Sequence, residues 1–201
     1  MTRTAHVERP QQTVTVLTKT DDHLWAWASM AYGRGAAKTV LIDVQDRFGL
    51  HVNIILWCAW CGAAGQALQR VEILNAVEIA NQWSGHVTAA LRDARRGVRA
   101  MPERFRAHAA DGLYGNIKAI ELAAEKLELG MLAKLVASNA PVMAFVQHPV
   151  ETAFLSSLQG QAIDIARRNV MAYLAEINAV RAHGFSVAPV ERVLQEIFHG
   201  T

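Results

Sequence analysis

Residues 52–64, VNIILWCAWCGAA, are apolar on every side, with Ile54, Ile55, Leu56, Trp57, Ala59 and Trp60 almost in succession. A helix that is hydrophobic all round belongs inside a bundle or inside a membrane. Spanning a bilayer takes about 20 consecutive apolar residues. This run is shorter, with Arg47 and His51 before it and Gln66 and Arg70 after it. It predicts the central helix of an all-α domain, against which other helices lay their apolar faces.

The neighbouring segments supply those faces. Asp21 and Asp22 suit an N-cap, and Leu24, Trp25, Trp27, Ala28 and Ala31 carry a helix to Tyr32. Val40, Leu41, Val44 and Phe48 recur at helical spacing, and Gly49 then suits a left-handed cap. Asn53 is the expected N-cap of the central helix. Beyond it, Leu68, Val71, Leu74 and Val77 predict a helix over residues 66–83, with Ser84-Gly85 as a kink or break. The stripe Val87, Leu91, Ala94, Val98 resumes the pattern. Pro102 opens a short helix, and Asp111-Gly112 with Gly115 predicts a loop. Ile117, Ile120, Ala124, Leu127, Met131 and Leu135 mark the next helix.

After a short apolar piece, Val142 to Val146, a long helix is expected from Glu151 to about His183, and a last one opens at Pro189. The whole reads as one helical bundle of seven to nine helices. Residues 1–20 form a flexible arm, 21–140 the core, and 141–201 a C-terminal helical extension packed on the core or on a second chain.

At 201 residues the chain can bury a sizeable core without disulfides or metals. Charged residues make up 19% and apolar ones 52%, which excludes a disordered chain. A net charge of +2 does not by itself imply a polyanionic partner. The N-terminus shows no secretory h-region. The two cysteines, Cys58 and Cys61, lie inside the apolar run, which fits a reducing compartment. A cytoplasmic protein is expected, with no membrane span.

The run from Leu41 to Trp57, LIDVQDRFGLHVNIILW, together with the helix before it, resembles a family of short bacterial proteins known as a domain of unknown function. That signature reads approximately L-Q-D-x-x-G-x-D-V-N-L-L-L-x-x-x-W after an L-W-x-F-A-x-x-x-Y helix. Leu24-Trp25, Tyr32, Gln45-Asp46, Gly49, Val52-Asn53 and Trp60 match it, and Ala119 to Lys126 resembles the closing helix. His51 stands where the pattern commonly has Asp. The resemblance implies a helical, cytoplasmic protein and supplies no activity.

Two groups of residues are candidates for function. Gln45, Asp46, His51 and Asn53 flank one tight turn, with Trp25 and Trp57 near it. They serve either as helix caps or as a polar pocket for a small ligand. Arg92, Arg95, Arg96 and Arg99 follow i, i+3, i+4, i+7, with Arg104 and Arg106 beyond. They form either a solvated basic face or a dock for an acidic or phosphate-bearing partner. Cys58-x-x-Cys61 has the spacing of a zinc half-site, but core packing explains it without further ligands. Glu121, Glu125 and Glu128 share a helix face but lack the Glu-x-x-His of di-iron bundles, so a solvated face is expected. No catalytic residue, metal or cofactor is indicated.

The leading expectation is a non-enzymatic cytoplasmic interaction or regulatory protein, acting through its arginines, its C-terminal helices, or both, on a protein partner or a second copy. The alternatives are a small-molecule-binding protein or enzyme with its pocket at the Asp46/Asn53 turn, and nucleic-acid binding through the arginines.

Overall fold

The computed structural model describes residues 11–158, 161–177 and 185–200, with side chains described from Lys19 onward except at 105–111. Among the described residues every regular element is helical: α1 (Gln11–Gly33), α2 (Ala37–Phe48), α3 (Val52–Ala63), α4 (Arg70–Trp83), a π-helical turn (Ser84–Thr88), α5 (Ala89–Ala100), α6 (Glu103–Lys134), α7 (Ala140–Phe145), α8 (Val150–Ser157), α9 (Ala162–Glu176) and α10 (Ala188–His199).

The apolar run is the centre of the fold. Ile54, Ile55, Trp57, Cys58, Ala59, Trp60 and Cys61 on α3 are completely buried. α9 lies along α3 over much of its length, and α1 and α6 cover other sides. α3 and α9 meet at Gly62. A Cβ built there would stand 2.5 Å from Ala166 Cα and 2.6 Å from Ala166 Cβ, so only glycine permits this approach. Asn169 of α9, itself buried, fastens the segment after α3. Its Oδ1 accepts from Leu68 N at 2.9 Å, and its Nδ2 donates to Gln66 O at 2.9 Å. The two cysteines are free thiols in this interior, and burial pushes both up in pKa, so they are packing groups.

Several boundaries differ from the sequence expectation. Residues 1–10 of the expected arm lie outside the described residues, whereas Gln11 to Thr20 belong to α1. Asp21 and Asp22 are therefore interior helical positions. They ion-pair with Lys134 at 3.7 Å and Lys126 at 2.9 Å, tying α1 to α6. α4 starts at a Gln69–Glu72 capping box, and its buried residues are Ile73, Ala76 and Ala80, while Val71 and Leu74 are exposed. Asp111, Gly112 and Gly115 do not break α6, which runs straight through them. The expected helix from Glu151 onward is two, α8 and α9; its predicted end near His183 lies outside the described residues. No described helix is long and apolar enough to cross a membrane.

Gly49, at φ 65°, gives α2 its left-handed cap and donates its N–H to Gln45 O at 2.9 Å. This cap turns the chain sharply into α3. From the two sides of this turn Asp46 reaches Arg96 of α5 and Asn53 reaches Glu128 of α6, which brings the functional candidates together.

Candidate functional site

α5 and α6 run antiparallel as a hairpin about Pro102, and the contact between them is electrostatic. On α5 only Val98 is buried, so the expected apolar seam there is too thin to hold the pair. Arg92 and Arg95 instead point at α6, with side chains only 20% and 23% exposed. Glu121 is buried and pairs with both, at 3.3 Å from Arg92 and 2.5 Å from Arg95. Arg92 also reaches Glu125 at 3.5 Å. The glutamates expected on a solvated face are thus the inward stripe of α6, and Ile120 and Leu127 are exposed instead. Burying a carboxylate costs several kcal/mol unless a cation answers it, and the arginines are that answer.

Glu128 lies one turn beyond Glu125. It is 3% exposed and accepts a hydrogen bond from Asn53 Nδ2 at 2.9 Å. Burial, with the Glu125 carboxylate nearby, raises its pKa to about 7. Asn53 therefore serves Glu128 and does not cap α3, where the N-cap position is His51 with no side-chain cap bond. The His51 N–H donates to the Tyr173 hydroxyl at 3.1 Å, and its Nε2 sits 3.0 Å from Asn81 Oδ1. Burial lowers the His51 pKa, so the imidazole stays neutral at higher acidity than usual. Asp46 caps nothing either; its carboxylate pairs with Arg96 at 3.6 Å.

These contacts enclose one cleft of about 960 Å³, within the size range of small-molecule sites. Its walls bring together both candidate groups from the sequence: Gln45, Asp46, His51, Asn53 and Trp25 from one, Arg92, Arg95, Arg96 and Arg99 from the other. Trp57 is not among them, because it is fully buried in the core. Arg104 also lies off the cleft wall, and the Arg106 side chain falls outside the described residues.

Sequence reasoning missed Tyr32, Lys38, Thr88, Tyr114 and Lys118, all on the wall, and misplaced Glu121, Glu125 and Glu128. One signal was available for the glutamates. Glu121 and Glu125 follow i, i+4, and Arg92 and Arg95 on the preceding helix follow i, i+3, so one turn of each helix can face the other with opposite charge. Among the described residues no cluster of His, Cys, Asp and Glu is arranged to hold a metal ion.

The fold and site together define a class: an all-α domain built on one buried helix, with a charged cleft between its helix-turn-helix and a flanking hairpin. The chain belongs to the family described as protein of unknown function (DUF2390), whose profile matches residues 23–132. That span contains α3, α5 and most of α6, and with them every wall residue of the cleft. No curated protein and no solved structure matches the chain.

Proposed function

We propose that this protein binds a small organic anion in the cleft. The observation that supports this most is the convergence of the arginine row and the polar turn on one concave surface. Six cationic side chains line it, Lys38, Arg92, Arg95, Arg96, Arg99 and Lys118, against four carboxylates, Asp46, Glu121, Glu125 and Glu128. Arg92 and Arg95 are committed to glutamates and Arg96 to Asp46. Lys38, Arg99 and Lys118 form no ion pair among the described residues, which leaves three cations for a ligand. Arginine is the residue best suited to a planar or tetrahedral oxyanion.

The test is Arg99→Glu. Calorimetric titration with phosphate monoesters should show affinity falling about tenfold or more, the scale of one lost charge-assisted hydrogen bond. The unliganded melting temperature should hardly move, because Arg99 is exposed and unpaired. An affinity within twofold of the parent protein would remove Arg99 from the site.

The expected interaction role draws on a different observation. The outer face of α6 exposes Ile120 and Leu127, a surface suited to a protein partner or a second copy. It is separable from the cleft, since Arg99→Glu leaves that face untouched. Nucleic-acid binding draws less support: Arg92 and Arg95 are turned inward onto Glu121 instead of forming an open stripe.

A further inference from the structure

The cleft is electrically graded from end to end. Because α5 and α6 are antiparallel, Arg96 and Arg99 fall at the end of the cleft where Tyr114 and Lys118 lie. Thr88 falls at the opposite end, beside Asn53 and Glu128. The pairings of Arg92 with Glu121 and Glu125, and of Arg95 with Glu121, fix this register. One end therefore carries unpaired positive charge. The other carries Thr88, Asn53 and a carboxyl group, with Glu125 close by.

Thr88 is the informative residue. It is 2% exposed, lines the cleft, and its Oγ1 is buried without a hydrogen-bond partner. A helical threonine ordinarily bonds the carbonyl one turn back. Thr88 closes the π-helical turn Ser84–Thr88, where the backbone has departed from that geometry. Such turns recur at functional sites because they re-aim a side chain. A buried hydroxyl left unpaired costs about 1–3 kcal/mol unless something else satisfies it.

Its neighbours are also incompletely used. Among the described residues Asn53 donates to Glu128 but accepts nothing, and Glu128 accepts only from Asn53. The three side chains present donors and acceptors with no free cation: Arg92, the nearest, is already held by Glu121 and Glu125. An anionic group would be repelled here. A hydroxyl, donor and acceptor at once, satisfies all three.

We infer that Thr88, Asn53 and Glu128 form a hydroxyl-recognition subsite, so that the ligand is a phosphate monoester of a polyhydroxylated body such as a sugar phosphate. The phosphate sits at Arg99 and Lys118, the ring lies along the half-buried Trp25 and Tyr32, and the hydroxyls reach Thr88. This assignment rests on the cleft being an anion site, as proposed above.

The experiment compares glucose 6-phosphate with cyclohexylmethyl phosphate, which has the same ring size and phosphate but no hydroxyls, in the parent protein and in Thr88→Val. The parent should prefer glucose 6-phosphate by at least about tenfold, as buried polar groups left unpaired penalise the deoxygenated compound. Thr88→Val, nearly the same shape, should cut that preference about tenfold while leaving cyclohexylmethyl phosphate binding unchanged. Equal binding of the two phosphates by the parent overturns the subsite but leaves the anion site standing. So does an undiminished preference in Thr88→Val, and so does a tenfold gain for glucosamine 6-phosphate, which would mark an ammonium site. Failure of both phosphates to bind at millimolar concentration overturns the anion site and the subsite together.

Discussion

Gly62→Ala is expected to destabilise the protein by about 3 kcal/mol, the upper part of the range for overpacking a well-filled interior. The added methyl has nowhere to go. It would stand 2.5 Å from Ala166 Cα and closer still to Ala166 N, and backbone atoms cannot swing aside as a side-chain tip can. Relief requires α9 to move away from α3. That would loosen the contacts of Val170, Tyr173 and Leu174, all fully buried. Helix propensity works in the opposite direction, favouring alanine by about 1 kcal/mol, and is outweighed. Gly97 on α5 gives the matched control: a Cβ there meets nothing within 4 Å. Gly97→Ala should therefore be neutral or stabilising by up to about 1 kcal/mol. Chemical denaturation of the two variants checks this, and equal effects would mean that α3 and α9 do not touch as described.

Glu128→Gln is expected to stabilise the protein above neutral pH and to change little in acid. The Glu128 carboxyl is raised from 4.5 to about 7, chiefly by burial; the Asn53 hydrogen bond lowers it, Glu125 raises it and Arg92 lowers it. The folded chain thus keeps a proton that the unfolded chain releases. Stability from this group is intact below 4.5, falls as pH rises towards about 7, and has been lost above it. A shift of that size corresponds to about 3 kcal/mol. Glutamine keeps the shape, still accepts from Asn53, and carries no charge to strand.

His23 runs the other way. Burial, with the Lys19 charge, lowers it from 6.5 to about 4, so its share of stability is lost as pH falls through that window. The His23 slope, and that of His51, whose pKa is also lowered, overlap the Glu128 window, so Glu128 is read from the difference between the parent and Glu128→Gln, in which the histidines cancel. That difference should widen in favour of Glu128→Gln from about pH 4.5 to about 7 and level off above it. Parallel curves for the two proteins would place Glu128 in water.

Much of this architecture could be read from residue order, and the failures have physical causes. An all-apolar run such as residues 52–64 is legible because nothing but a core accepts it. The same uniformity hides orientation, which is why Trp57 was expected at the turn and lies in the core. Gly49 and Pro189 were legible because their backbone restrictions are local. The continuity of α6 through Asp111 and Gly115 was not, since helix breakers cost about 1 kcal/mol each and a long helix packed on others absorbs that. The π-helical turn inserts an extra residue between α4 and α5, rotating every later position by about 100° relative to an unbroken helix. The outward reading of the arginines has a local cause: Val87, Leu91, Ala94 and Val98 make an apolar stripe opposite them, of which only Val98 is buried. Charge alone predicts exposure for Glu121 and Glu128; here the arginines of the preceding helix make the burial of Glu121 possible, and the Asn53 amide answers Glu128.

The most direct test of the cleft is to watch its one indole. Of the five tryptophans, Trp25 alone lines the cleft; Trp27, Trp57 and Trp60 are fully buried, and Trp83 donates to Ala124 O at 2.9 Å on another face. Nitrogen-edited NMR resolves the indole N–H groups as separate signals. Titration with a set of phosphate monoesters should move the Trp25 signal together with the Nε–H signals of Arg95 and Arg99, and leave Trp27 and Trp83 in place. A Trp25 signal unmoved by every compound at millimolar concentration, or displacement of Trp83 instead, would contradict the account.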